Sequence, residues 1–515
     1  MYKPGCLLCL CLWGGVSVAA PPQDELVWSR AGAITPQARA LVATLEAADR
    51  YGLAPGRYRA AELAAALAAD AAGQPGSAEL RRLDLALTGA ALSFVRDLHY
   101  GRIDPGAAGF DLPPRAADMD AAAVVAQLAS ASNPGVAIAA IEPGYLHYRL
   151  LRQSLTRYRE LAAGPALASL PPLPRRSVRP GEAYAGASAL RRWLAANGDL
   201  SAAQAARTDA VLDEELVAAL KSFQYLHGLA EDGALGSATM SALRVPFAQR
   251  VRQIELTLER WRWVPPLRPP TLIVNIPQFR LFLIHTAVDE EAAMLRMNVI
   301  VGRQYPQLHT PVFAADMTSV LFRPYWDVPP SIVRRELLAE LSKDPGYLEA
   351  HDMELVGGGG AASTAPLPAT ADNLAALAAG RLRLRQRPGP DNALGLIKFD
   401  LPNRYDVYLH STPAQRLFGE ARRAFSHGCI RVSDPVALAT EVLRGVQGDW
   451  TAEKIRAAMN GETTLRVPLA RPVHVLILYG TAIATEDGKV HFVDDIYGQD
   501  RRLERLLGLT PVAAP

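Results

Sequence analysis

A chain of 515 residues is too long for one hydrophobic core, and the usual domain size implies about three folding units. Half of the residues are hydrophobic and 21% are charged, which excludes a disordered chain and a polytopic membrane protein. The formal net charge is only +2, with no long Lys/Arg block, so the electrostatic footprint of a nucleic-acid binder is missing.

Residues 1–20 read as a signal peptide: Lys3, an apolar run from Leu7 to Trp13, and small residues ending in Ser17-Val18-Ala19. A retained anchor is the alternative, but the uncharged stretch from Pro4 to Ala20 holds three Gly and falls short of the ~20 apolar residues a span needs. No integral membrane span is expected. Cys6, Cys9 and Cys11 sit at the start of or inside the apolar run, which disfavours lipid attachment. Cleavage would leave Cys429 as the one mature cysteine and rule out an intramolecular disulfide. In an oxidising compartment a lone thiol must be buried or put to work, which makes it a candidate nucleophile.

Residues 25–179 are Ala- and Leu-rich with helical apolar spacing, as in Ala60 to Ala71 and Leu83 to Leu98, and read as a helical scaffold. Pro165 to Pro180 is a stiff linker. Over 180–245, Ser188 to Leu194, Asp213 to Phe223 and Ser237 to Leu243 predict three short helices, separated by Gly198-Asp199 and Glu231-Asp232-Gly233 turns. Phe223-Gln224, His227-Gly228-Leu229, Asp232-Gly233, Gly236 and Thr239 in that order resemble the peptidoglycan-binding domain of bacterial wall enzymes. The resemblance implies a dock for glycan or stem peptide, while Phe223, Leu229 and Leu243 read as core. Over 246–270 a connecting helix is expected, with Val251, Ile254, Leu258 and Trp261 on one face. Its Trp261 and Trp263 suit either sugar stacking or packing at a junction.

From 271 to 470 short β-rich runs predominate: Thr271 to Ile276, Arg280 to His285, Met297 to Val301, Val320 to Phe322 and Val407 to Leu409. A β-sandwich-like domain is expected, followed over 471–515 by a hairpin, Val473 to Tyr479 with Val490 to Val493, and a tail. Residues 326–387 interrupt the pattern with Pro329-Pro330, a helix from Ser331 to Leu341 and the run Gly357 to Gly360, and read as an inserted helical cap or lid. Arg381, Arg383, Arg385 and Arg387 alternate along an extended segment, forming either a solvated face or a grip on substrate carboxylates, with Arg385 the candidate contact. The expected class is α+β and multidomain.

The chemistry concentrates in Tyr408-Leu409-His410-Ser411-Thr412 and Ser426-His427-Gly428-Cys429-Ile430-Arg431-Val432. A cysteine attacks best as its thiolate, and an imidazole nearby takes the proton and stabilises the ion pair. Gly428 permits a tight turn that can aim the N–H groups of His427, Gly428 and Cys429 at one developing oxyanion. Arg431 is suited to a substrate carboxylate or to bracing the loop, and the ring of His427 reads as structural. With one mature cysteine and no ligand spacing, neither a metal nor a cofactor is assigned.

His410 with Ser426-His427-Gly428-Cys429-Ile430-Arg431 resembles the active-site signature of the L,D-transpeptidase family. Val299-Ile300-Val301-Gly302-Arg303, Thr310-Pro311, Phe322 to Pro330, Arg385-Gln386 and Pro388 to Gly395 are similar to its larger members, which carry a scaffold, a wall-binding module and a capped catalytic domain. The resemblance implies that Cys429 attacks the third-residue carbonyl of a tetrapeptide stem and expels D-alanine. A diamino acid amine of another stem then resolves the thioester into a 3-3 crosslink, with His410 moving the proton and the Ser411 carbonyl orienting it. It further implies Ser426, Tyr408, Arg431 and Arg385 near substrate, acylation of Cys429 by carbapenems, stem peptides and cell-wall synthases as partners, and a location in the periplasm or cell envelope. Two alternatives stand beside it: hydrolysis of the same thioester, as an L,D-carboxypeptidase, and a non-catalytic wall-binding scaffold.

Overall fold

The computed structural model describes residues 26–72, 77–113, 115, 118–286, 294–344, 346–357 and 365–510. The expected signal peptide lies outside them, as does most of the glycine run. The chain forms two compact units, one of residues 1–47, 54–95 and 119–139, the other of residues 48–53, 96–118 and 140–515.

The first unit is helical. Thr35 caps the Pro36–Glu46 helix, its side chain accepting from the Ala38 N–H, and Pro36 occupies the first turn where no N–H is needed. Asp84 is buried on the Ser77–Tyr100 helix and accepts from the N–H groups of Val27 and Trp28 at 3.0 and 2.6 Å. One carboxylate thereby ties down the first described segment.

In the second unit the Leu146–Ala163 helix, grouped with the scaffold by its sequence, packs on the connecting helix Phe247–Trp263. Tyr148, Leu151, Leu155 and Tyr158 bury against Ile254, Leu258 and Phe492, the apolar face that the connecting helix's spacing requires. Packing also decides the tryptophan pair: Trp263 is buried edge-on to Phe110 at 5.5 Å, and Trp261 lies 5.3 Å from Tyr145.

The three expected module helices are Ala187–Asn197, Glu214–Leu226 and Ser237–Leu243. Phe223 and Leu243 lie in their core, whereas Leu229 is only half-buried. The buried Gln224 amide donates to Asp232 Oδ1 at 2.8 Å and Thr239 Oγ1 at 3.2 Å and accepts from the Gly233 N–H at 2.8 Å. These motif residues satisfy one another and so fix the turn.

The sheet of the β-rich domain closes on itself. Thr271–Asn275, Arg280–Ile284, Leu295–Gly302, Phe313–Phe322, Ile397–Asp400, Leu409–His410, Ile430–Val432 and Leu465–Leu478 form a barrel-like ring of eight strands, with Ala424–Ser426 added beside Leu295–Gly302. Pairing of Arg280–Ile284 with Leu295–Gly302 completes the ring, so a barrel replaces the expected β-sandwich. Closure removes the open edges that a sandwich keeps. Val473 to Tyr479 also departs from expectation. It belongs largely to Leu465–Leu478, parallel to Thr271–Asn275 and antiparallel to Phe313–Phe322. The terminal hairpin is Ala482–Ala484 with Val490–Phe492, so the ring runs past residue 470.

The insertion holds the expected helix, as Pro330–Ile332, Val333–Leu337 and Leu338–Lys343 in succession, with Tyr347–Ala350 and Ala371–Ala378 and a small sheet besides. Trp326–Asp327, Met353–Gly357 and Leu382–Gln386 form an antiparallel sheet with its own core of Val328, Ile332, Leu341, Leu355, Leu377 and Leu384. The arginine run lies in this sheet and faces the insertion's own acids. Arg383 pairs with Asp327 at 2.7 Å, Arg387 with Asp352 at 3.1 Å and Arg385 with Glu354 at 3.2 Å. Arg385 is buried over the Tyr325 ring, and so is engaged within the insertion instead of gripping substrate as expected.

Candidate active site

Strand register brings the two motifs together. Leu409–His410 pairs antiparallel with Ile397–Asp400, Lys398 opposite His410, and parallel with Ile430–Val432, Leu409 opposite Ile430 and His410 opposite Arg431. Leu409, Ile430 and Phe399 fill the barrel. Alternation along each strand therefore turns Lys398, His410 and Arg431 to the other face in one row. The Ile430 N–H donates to the Tyr408 carbonyl at 3.0 Å, which puts Tyr408 and Cys429 in the next row of that face, one pleat from His410.

His410 is buried, its Nδ1 2.6 Å from the Ser411 carbonyl. A carbonyl only accepts, so Nδ1 carries the proton and Nε2 keeps a free lone pair. Ser411 is itself held: its Oγ accepts from the N–H groups of Leu396 and Ile397 at 2.9 and 3.2 Å and donates to the Leu394 carbonyl at 3.2 Å. Gly395 adopts a φ of +62°, and a Cβ there would collide with Ser411 Oγ. Asn392 pins the same turn, accepting from the Leu394 N–H at 2.8 Å and donating to the Arg387 carbonyl at 2.9 Å. This support was present in the sequence as a matching run, but nothing local in it revealed the role.

Burial, and then the Arg431 charge, pushes the His410 pKa down to about 3. Burial pushes the Cys429 thiol up, while Tyr408 hydrogen bonding and the Lys398 and Arg431 charges act in the opposite sense. Both shifts run against a resting thiolate–imidazolium pair. The Cys429 thiol is partly exposed and donates to the Asp406 carbonyl at 3.6 Å. Tyr408 lies edge-on to His410 at 5.8 Å, beneath the Lys398 ammonium at 4.1 Å.

The cysteine loop holds itself in shape. Ser426 Oγ donates to the Cys429 carbonyl at 2.6 Å and accepts from the Gly428 N–H at 3.1 Å. Thr310 Oγ1, part of a matching run but given no role by it, donates to the Gly428 carbonyl at 2.7 Å and accepts from the Gly302 N–H at 2.9 Å. Gly428 has a φ of +122°, which favours glycine. Ser426 is thus spent on the loop in place of substrate, and Gly428 donates to Ser426 in place of an oxyanion. The N–H groups of His427 and Cys429 have no acceptor among the described residues. His427 Nε2 lies 2.8 Å from Glu336 Oε1 on the inserted segment, a partner that spacing could not reveal. Arg431 has no ion-pair partner among the described residues, and its Nε is buried without a hydrogen bond.

Residues 20–155 match a "Scaffold domain", residues 185–243 a "Putative peptidoglycan binding domain" and residues 269–457 an "L,D-transpeptidase catalytic domain". A curated protein of Haemophilus influenzae named "Putative L,D-transpeptidase" is 28% identical over 284 residues, 54% of this chain. The match spans about half of that relative, 55% of its length.

Proposed function

We propose that this chain, which carries an L,D-transpeptidase catalytic domain behind scaffold and peptidoglycan-binding domains, is an exported enzyme of the cell envelope that forms 3-3 crosslinks through a Cys429 thioester. The observation that carries this reading is the placement of His410, with Nδ1 tied to the Ser411 carbonyl, on the same sheet face as Cys429. As Sγ attacks the third-residue carbonyl, His410 Nε2 takes the thiol proton and delivers it to the departing D-alanine amine. The acceptor amine then attacks the thioester, gives its proton to His410 and releases Cys429 as the thiol. Main-chain N–H groups of His427 and Cys429 stabilise the tetrahedral oxygen, and Arg431 holds a stem carboxylate.

Purified protein incubated with disaccharide tetrapeptides, with products resolved by mass spectrometry, tests the reading. Crosslinked dimers that vanish in Cys429→Ala are expected. Tripeptides without dimers would mean hydrolysis, and neither product would leave a wall-binding scaffold.

A further inference from the structure

A second cleft lies between the Glu214–Leu226 helix of the three-helix module, the terminal hairpin and the barrel strands Arg280–Ile284 and Leu295–Gly302. Its cavity volume is 760 Å³. A smaller hollow shares Tyr225, Gln278, Arg280 and His491 with it and extends to Arg422 and Arg423. Neither is lined by Cys429, His410 or Arg431.

Antiparallel register sets Arg280 opposite Asn298 and Phe282 opposite Arg296, so both guanidinium groups share one face. Neither has an ion-pair partner among the described residues. The neighbouring His491 lies in their field: burial first, then Arg280, and more weakly Lys489 and Arg296, push its pKa down to about 4, against the opposing pull of Asp487. Tyr225 stands edge-on to His491 at 5.0 Å and is 42% exposed, leaving aromatic surface beside the cations. Glu486 and Asp487 line the hairpin side with Lys489, whose ammonium donates to Ser222 Oγ at 2.9 Å, and Glu231 and Asp494 line the smaller hollow. Acids around an arginine pair disfavour a polyanion and suit a ligand with both carboxylates and an amine.

We propose that this cleft is a second peptidoglycan site, taking a stem peptide whose carboxylates meet Arg280 and Arg296 and whose amine meets the Glu486 and Asp487 side. The identity of the ligand rests on the function proposed above. The location of the cleft does not. A stem held here would keep a wall strand on the enzyme while the reaction face exchanges donors and products.

The test acylates Cys429 in the full chain with a carbapenem, which blocks the reaction face, and titrates a soluble disaccharide tetrapeptide by calorimetry. Residual binding is expected, weakened about tenfold by Arg280→Gln with Arg296→Gln, as expected for loss of charge-assisted contacts. The same loss is expected for the unsubstituted chain when the ligand's carboxylates are amidated, an arm that needs no variant to fold. No residual binding, or affinity within twofold in both arms, overturns the proposal. A Cys429 that the carbapenem does not acylate counts against the catalytic reading alone, and the titration on untreated protein then decides the cleft.

Discussion

The histidine side and the cysteine side of the site are built differently. His410 is buried on the face of the sheet away from the barrel core, its Nδ1 on the Ser411 carbonyl, and the Ser411 and Asn392 side chains pin the turn at Gly395 beside it. Cys429 is partly exposed on a loop held by two hydroxyls, Ser426 and Thr310, and joined to the insertion by the side-chain pair His427–Glu336. The candidate base is placed by strand and turn, and the candidate nucleophile by a loop that the insertion touches.

Removing either partner is the severest way to break this contrast. Cys429→Ala should abolish carbapenem adducts in intact-protein mass spectra, and His410→Gln should slow acylation by about 10²–10⁴-fold, the usual worth of a positioned base. Gly395→Ala attacks the histidine side alone. A side chain at that φ, colliding with Ser411, should cost about 2–4 kcal/mol by denaturant titration, and rescue of the melting temperature without rescue of acylation would show how closely His410 depends on that turn.

Acidity sharpens the comparison next. With its pKa near 3, His410 stays unprotonated at pH 5, so acylation should change less than about threefold between pH 7 and 5. An unperturbed imidazole would lose about thirtyfold over the same interval. Stability should respond with the opposite sensitivity. His410 and His491 have lowered pKa values in the folded chain, and His227 lies well below the ordinary value. The unfolded chain therefore binds more protons below pH 6.5, and stability falls as pH drops from 6.5 toward 4. Melting temperatures measured across that range check it. The smallest effect belongs to Glu336→Gln: the pair is half-exposed, so stability should change by at most ~1 kcal/mol and acylation by a few-fold.

The two candidate reacting residues stood out in the sequence because Gly428, Cys429 and the Tyr408-Leu409-His410 alternation carry local signals of turn and strand. Helices such as Ser237–Leu243 were legible for the same reason. What escaped depends on long-range pairing. The ring rests on Ile430–Val432 meeting Leu295–Gly302 and on Leu465–Leu478 meeting Thr271–Asn275, and the contacts of Thr310 and Glu336 with the cysteine loop cross 118 and 91 residues. The arginine alternation was real, but the acids that absorb it come from Asp327, Asp352 and Glu354 on neighbouring strands, which no window of sequence displays.

Leu465–Leu478 pairs with Thr271–Asn275 across 203 positions, from His474 to Thr271. Such separation makes for slow assembly, because the intervening chain must be gathered before the pairing repays its entropy. Every residue of the His410 and Cys429 motifs emerges from synthesis ahead of that last stave. A nascent chain therefore carries its thiol for some time before the barrel that disciplines it can exist, a natural delay on reactivity.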